Sequence, residues 1–254
     1  MKFAREGVSL PGIIAESLWK GGLGGNLSSE RSPPRGIKLW RQAVRLVLAT
    51  SNRGKVREIR GMLMGLGVEV LALDDFKSVE LPHETGATFA ENALVKARAV
   101  AAATGIAALA DDSGLEVDYL GGRPGVFSAR YAGEGASDRD NYIKLLGELE
   151  GVPFEKRSAR FRCAVAFVEP GDGGRGAGGA GGAGGRGVEM VFEGSLEGFI
   201  ATEPRGEGGF GYDPVFFLPE RNRTVAELPA EEKNAISHRA RALEGLRKWL
   251  EGRV

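Results

Sequence analysis

The sequence predicts an α/β protein with a mixed β-sheet and flanking helices, and two observations carry that prediction. In the first half, short apolar runs alternate with segments whose apolar residues recur at helical spacing, the pattern of strands interleaved with helices. In the second half, two long apolar-rich stretches flank a Gly-rich tract, as in a hairpin of long strands. At 254 residues the chain can bury a sizeable core, in one large domain or two small ones.

Residues 1–44 stand apart from the rest. They hold Gly21-Gly22-Leu23-Gly24-Gly25, a Ser-rich stretch and Pro33-Pro34 with no sustained period, and are expected to be a disordered extension or the product of a start site placed too far upstream. Leu46–Ala49 then reads as a buried strand, followed by a helix with Val56, Ile59, Leu63 and Leu66 on one face. Val68–Leu73 reads as a second strand. Thr88-Phe89-Ala90-Glu91 has the form of a capping box opening a helix to about Thr104, with Phe89, Ala93, Ala97, Val100 and Ala101 toward the core. A strand over Ile106–Ala110 is predicted to end at a tight turn, before another at Leu115–Tyr119. A helix from about Asp138 carries Tyr142, Leu145, Leu146 and Leu149. Long strands flank the Gly/Ala tract 171–187, which reads as a flexible hairpin loop. One last amphipathic helix carries Ile236, Ala240, Leu243, Leu246 and Leu250.

Lys plus Arg and Asp plus Glu each total 34, so no net charge draws the chain toward DNA, RNA or anionic lipid, while a small anionic substrate stays compatible. The single cysteine, Cys163, cannot form an intrachain disulfide, and its apolar setting marks it as a packed thiol rather than a nucleophile. No apolar stretch reaches membrane-spanning length, and the N-terminus is a poor secretory signal. A cytoplasmic protein is expected.

Five segments could carry chemistry. Ala110-Asp111-Asp112-Ser113-Gly114-Leu115 delivers paired carboxylates from a strand, one way to hold a divalent cation over a phosphate; neighbouring strand residues face opposite sides, so the two acids should have different roles. A solvated acidic turn is the alternative. Thr50-Ser51-Asn52-Arg53-Gly54-Lys55 sits between strand and helix, where helix N–H groups and Lys55 suit a phosphate, or where an N-cap simply turns the chain. Asn92 and Lys96, spaced i, i+4, share a helix side that reads alone as solvated; His83-Glu84-Thr85-Gly86 upstream offers Glu84 as a metal ligand. Gly206-Glu207-Gly208-Gly209-Phe210-Gly211-Tyr212-Asp213-Pro214 brings backbone and an aromatic face close to a flat ligand, or makes a turn into the strand Val215–Leu218. Lys233-Asn234-Ala235-Ile236-Ser237-His238-Arg239 adds donors on the last helix, and Arg239, donor-only, could read a carbonyl on a base.

Taken in chain order, the segments resemble the inosine/xanthosine triphosphate pyrophosphatases, the Ham1-like family of nucleotide house-cleaning enzymes. Gly121-Gly122-Arg123-Pro124-Gly125 and Ser128-Ala129-Arg130-Tyr131 belong to the same match, which runs from about Leu46 to Leu250. The resemblance implies an elongated two-lobed subunit around a long twisted mixed sheet, a single catalytic domain over 45–252 and a homodimer. It implies Mg²⁺-dependent cleavage of ITP, dITP and XTP to the monophosphate and pyrophosphate. Asp112 would be the general base and metal carboxylate, with Asp111 beside it and Lys96 assisting; Thr50, Ser51, Asn52, Arg53, Gly54, Lys55 and Ser113 would bind the phosphates. Phe210, Gly211, Tyr212 and Asp213 would hold base and sugar, and Lys233, His238 and Arg239 would complete base recognition. Many relatives carry a second acid where this chain has His83, so either Glu84 joins Asp112 at the metal or Asp112 acts with water alone. Competing readings are a pyrophosphatase of related fold acting on pyrimidine or modified bases, and a catalytically idle nucleotide sensor, against which the acid pair and Lys55 argue. A nucleic-acid-binding module is a third, disfavoured by the balanced charge.

Overall fold

The computed structural model describes residues 44–76, 78–171 and 187–252. The expected N-terminal extension, except Val44, and nearly all of the expected Gly-rich loop lie outside the described residues. Described strands are β1 (Val44–Leu48), β2 (Val68–Ala72), β3 (Ala107–Val117), β4 (Ser158–Glu169), β5 (Val188–Ile200), β6 (Phe216–Leu218) and β7 (Arg223–Thr224). They form one mixed sheet in the order β2-β1-β3-β4-β5-β6-β7. β1 runs parallel to β2 and β3, and every later pairing is antiparallel.

Helices cover both faces, so β1 is apolar on both sides. Leu46 and Leu48 pack under α1 (Arg53–Leu63) and α5 (His238–Glu251), with Ile59, Leu63, Leu243, Leu246 and Leu250. Val47 and Ala49 face α2 (Phe89–Thr104) on the opposite side. There the contact is mostly methyl on methyl, Ala93, Ala97 and Ala101 against Ala108, Ala110, Ala164 and Ala166, which lets the helix lie close to the strands. A further cluster joins Leu115 and Val117 to Leu145 and Leu149 at α3 (Asp138–Glu148). Cys163 is buried and free, and burial pushes its thiol up to about 12, consistent with a packed, inert side chain.

Four local expectations are corrected. First, the chain does not turn at Asp111-Asp112: β3 runs straight through, and Ala108 to Val117 pair with Val168 to Ala159 of β4. A continuous partner strand supplies the backbone bonds, and buried cations answer both acids. Second, Thr88 caps α2 through the Glu91 N–H, but the Glu91 carboxylate accepts from Ala87, one residue short of a capping box. Third, α1 stops at Leu63, so Leu66 packs against the same core from beyond the helix. Fourth, the last helix is two: α4 (Ala230–Ile236) ends and α5 begins at Ser237, whose hydroxyl accepts the Ala240 N–H.

Gly114 is required where β3 meets the 3-10 turn Gly125–Arg130. A Cβ there would come within 2.5 Å of Ser128 Oγ, 2.6 Å of the Gly125 carbonyl oxygen and 2.9 Å of Phe89. Since Ser128 Oγ itself bonds the Leu115 N–H and the Gly125 carbonyl, it has no room to withdraw. Gly114→Ala is expected to lower unfolding free energy by about 1–3 kcal/mol through overpacking, measured by chemical denaturation. An unchanged midpoint would contradict this packing.

Candidate active site

β1 ends at Leu48, with the Ala49 N–H bonded to Leu109, while β3 continues to Val117. Beyond Leu109, β3 has no β1 residue beside it, and a cleft of about 320 Å³ opens there. Such a crevice at the carboxyl end of a parallel strand is where open α/β sheets bind ligands.

Strand alternation divides the two acids as expected. Asp112 faces α2, where Asn92 Nδ2 donates to its Oδ2 at 3.1 Å and Lys96 Nζ to its Oδ1 at 3.1 Å. Lys96 Nζ also reaches Glu84 Oε1 at 2.8 Å and so bridges the two carboxylates. The alternative of a solvated helix side is overturned, since Asn92 is 1% and Lys96 6% exposed. Burial pushes the Asp112 carboxyl above its usual range, reinforced by the Glu84 charge and opposed by Lys96. For Glu84 burial also pushes upward, but Lys96, Lys55 and Arg130 together outweigh it and the carboxyl is held low. Lys96 remains a firm cation because Asp112 and Glu84 outweigh its desolvation.

Asp111 faces the other way, toward α1 and α5. Lys55 Nζ lies 3.1 Å from its Oδ2, and Arg239 Nη2 2.8 Å from the same oxygen. Despite complete burial, these cations hold the carboxyl far below the carboxylate range. The chain of charges continues from Arg239 to Glu58, from Glu58 to Lys233 at 3.0 Å, and from Lys233 to Asp213 at 2.6 Å. Three acids thus alternate with three cations, so each buried charge has opposite neighbours. The Lys233 ammonium also lies 4.4 Å from the centre of the Phe210 ring.

Thr50, Ser51, Asn52, Lys55, Glu84, Lys96, Asp112, Ser113, Phe210, Gly211, Tyr212, Asp213, Lys233, His238 and Arg239 all line the one cleft. Arg53, Gly54 and Asp111 do not. Gly54 lies behind Phe210, where an added Cβ would come 3.0 Å from the ring. Asp111 stands behind the wall and anchors cations that form it. Asn52 Oδ1 accepts from the Gly54 and Lys55 N–H groups, so the helix N-terminus expected to cradle a phosphate is already capped. The side-chain donors there are Thr50, Ser51, Asn52 Nδ2 and Lys55. Arg239 is likewise engaged, its Nε and Nη2 on Asp111, Nη2 also on Ser113 and Nη1 on Glu58, which leaves little of it to read a base. His83 is exposed and does not line the cleft.

Glu58 was missed. It lies three residues after Lys55 on α1, a spacing that brings it to the same helix side. Asp138 and Asn141, on the first turn of α3, also line the cleft; nothing in the sequence distinguishes them from an ordinary helix start. No group of three or more His, Cys, Asp or Glu among the described residues could hold a metal alone. Of the four carboxylates that line the cleft, Asp138 accepts the Gly211 N–H and Asp213 is taken by Lys233 and the Phe210 N–H. Glu84 and Asp112, which share Lys96, are the pair that fits a hard cation such as Mg²⁺, which commonly takes one or two carboxylates and completes its shell with water and substrate phosphates.

Acids and lysines gathered at the end of a mixed sheet, beside an aromatic face, define an α/β protein suited to a charged, ring-bearing small molecule. The chain belongs to the Ham1 family, whose model matches residues 46–249. It is 53% identical over 206 residues to a protein of Geobacter sulfurreducens named dITP/XTP pyrophosphatase, covering 81% of this chain and 96% of that one. A protein of the same name from Geobacillus kaustophilus is 53% identical over 207 residues, covering 81% and 94%. The solved structure of a HAM1 protein from Coxiella burnetii superposes with a TM-score of 0.70 at 43% identity, covering 82% of this chain and 99% of that one.

His238 is buried, stacked on Phe161 at 4.9 Å, and its Nδ1 has no hydrogen-bond partner. Burial, with Arg239 beside it, holds the imidazole well below its ordinary value and therefore neutral. The unfolded chain binds a proton near pH 6.5 that the folded chain refuses, so stability falls as pH drops below about 6.5. His238→Gln should flatten that acid-side slope by up to about 1.4 kcal/mol per pH unit, measured by denaturation between pH 5.5 and 7.5. Equal slopes in the two proteins would contradict a buried neutral imidazole.

Proposed function

We propose that this chain hydrolyses non-standard purine nucleoside triphosphates, dITP, XTP and ITP, to the monophosphate and pyrophosphate. The observation that carries the reading is the convergence of Asp112, Glu84, Lys96 and Lys55 on a cleft that also holds the Phe210 ring. The names of relatives matched over nearly their whole length supply the substrate class.

Asp112 is positioned to orient and deprotonate the water that attacks the α-phosphorus. Asn92 and Lys96 fix its two oxygens, and a carboxyl shifted upward by burial is a better base than an ordinary one. Glu84 and Asp112 would hold Mg²⁺, whose charge offsets that developing on the departing pyrophosphate. Lys55 and Lys96 stabilise charge on the phosphate oxygens, with the Thr50, Ser51 and Asn52 side chains adding neutral donors. Asp111 has no contact with substrate in this scheme; it keeps Lys55 and Arg239 in place.

Phe210 offers a stacking face for the base. Polar reading of the ring falls to the cleft's remaining donors, among them the one Lys233 hydrogen not engaged by Asp213 and Glu58. Donors here match the 6-carbonyl of hypoxanthine or xanthine and are left unpaired by the amino group of adenine, a mismatch worth a factor of about 10⁴. We further read residues 45–252 as one catalytic domain, acting as a homodimer in the cytoplasm. The reducing compartment accords with the lone buried thiol, and no described helix is long and apolar enough to cross a membrane.

Asp112→Asn keeps the shape and removes the basic charge. Turnover of ITP with Mg²⁺ should fall about 10²-fold or more with a modest change in KM, and near-normal turnover would remove Asp112 from the role of base. A pyrophosphate-release panel of ITP, dITP, XTP, GTP and ATP, with and without Mg²⁺, tests the substrate class. Equal rates on ATP and ITP would overturn the account of the pocket.

A further inference from the structure

The loop Phe210–Asp213 supplies the aromatic face, yet it is a run of tight backbone turns with φ of +78° at Gly209 and +62° at Gly211. Two of its restraints come from its own side chains. Asp213 Oδ2 accepts the Phe210 N–H at 2.9 Å, and the Tyr212 hydroxyl donates to the Ser128 carbonyl at 2.8 Å. A third is of a different kind: the Gly211 N–H donates to Asp138 Oδ2 at 2.6 Å, across 73 positions of sequence. Asp138 is the first residue of α3 and lines the cleft, as does Gly211.

We propose that Asp138 is a positioning residue for nucleotide binding, a clasp from the start of α3 that holds the Gly211 backbone and so sets the Phe210 ring at the height a base requires. Glycine at 211 leaves the peptide free to swing, and nothing lies within 4 Å of where a Cβ would be. Asp213 holds the Phe210 N–H from within the loop and Tyr212 anchors the loop on Ser128, whereas Asp138 takes the N–H directly after Phe210 and reaches it from α3. A carboxylate acceptor makes a shorter, stronger bond than a neutral one. Asp138 is not needed for the helix start itself. Ser137 Oγ accepts the Asp140 N–H, and the Asp140 carboxylate accepts from both Ser137 N–H and Oγ–H. The helix cap and the clasp are therefore separable, and a substitution at 138 can test the second without breaking the first.

The inference rests on the triphosphatase reading, so the wild-type protein is assayed alongside. The variants are Asp138→Ala, which removes the acceptor, and Asp138→Asn, which keeps an acceptor oxygen without the charge. For Asp138→Ala the KM for ITP should rise about 3- to 10-fold with kcat within about twofold and the melting temperature essentially unchanged, and Asp138→Asn should recover most of the KM. Hydrogen exchange of the peptide spanning 208–212 should quicken in Asp138→Ala and return toward wild type in Asp138→Asn, a readout independent of turnover. A wild-type KM and wild-type exchange in Asp138→Ala would overturn the clasp. So would an Asn variant as impaired as the Ala variant, since that would make the charge, not the bond to Gly211, the working part. An inactive wild-type protein would instead overturn the triphosphatase reading, with the exchange data still deciding on the clasp.

Discussion

The site depends on β3 remaining a straight strand through two adjacent acids. A strand sends successive side chains to opposite faces, and this sheet has helices on both. Asp112 is thereby delivered to α2 and to the cleft, and Asp111 to α1 and α5 behind it. Had the chain turned at the pair, both carboxylates would lie in solvent and neither set of cations would be ordered. Pairing with β4 on one edge prevents the turn, and the end of β1 on the other edge opens the space a ligand needs.

Electrostatics follow from that division. On the Asp111 side, Lys55, Arg239 and Lys233 alternate with Asp111, Glu58 and Asp213, and the sum is neutral. Isolated burial of any one would cost several kcal/mol; alternation offsets it and fixes side chains whose free forms are long and flexible. On the Asp112 side, Lys96 stands between two acids, where burial works upward on Asp112 and Lys96 helps keep Glu84 ionised. One carboxyl is thus biased toward taking a proton by its burial, and its neighbour toward remaining charged by the surrounding cations, although Lys96 bridges both. Division of labour between acids arises from environment rather than residue type.

Much of this was legible from residues alone where the pattern was long and periodic. The alternation of apolar runs located β1, α1, β2 and α2, and the five methyl and aromatic positions of α2 facing the core were read correctly because 3.6-residue spacing leaves them on one face. That Asp111 and Asp112 would serve opposite sides followed from strand geometry. What escaped was set by partners distant in sequence. A run of Asp-Asp-Ser-Gly looks like a turn until a neighbouring strand is there to pair it. Arg239 looked like a free donor because Asp111 and Glu58 lie 128 and 181 positions away. An N-cap and a phosphate were both open readings of the turn after β1, and composition does not tell which of them holds those N–H groups; it is the Asn52 cap. Glu58 carried a faint local signal in its spacing from Lys55; Asp138 carried none, since any acid suits a helix's first turn.

Ser237 closes one helix and opens the next, so a single residue sets the angle between Lys233 and the His238–Arg239 pair. A helix rotates about 100° per residue. Adding or deleting one residue at this joint would swing the imidazole and guanidinium away from the sheet while preserving every residue type. In this corner of the molecule the geometry constrains chain length more strictly than composition.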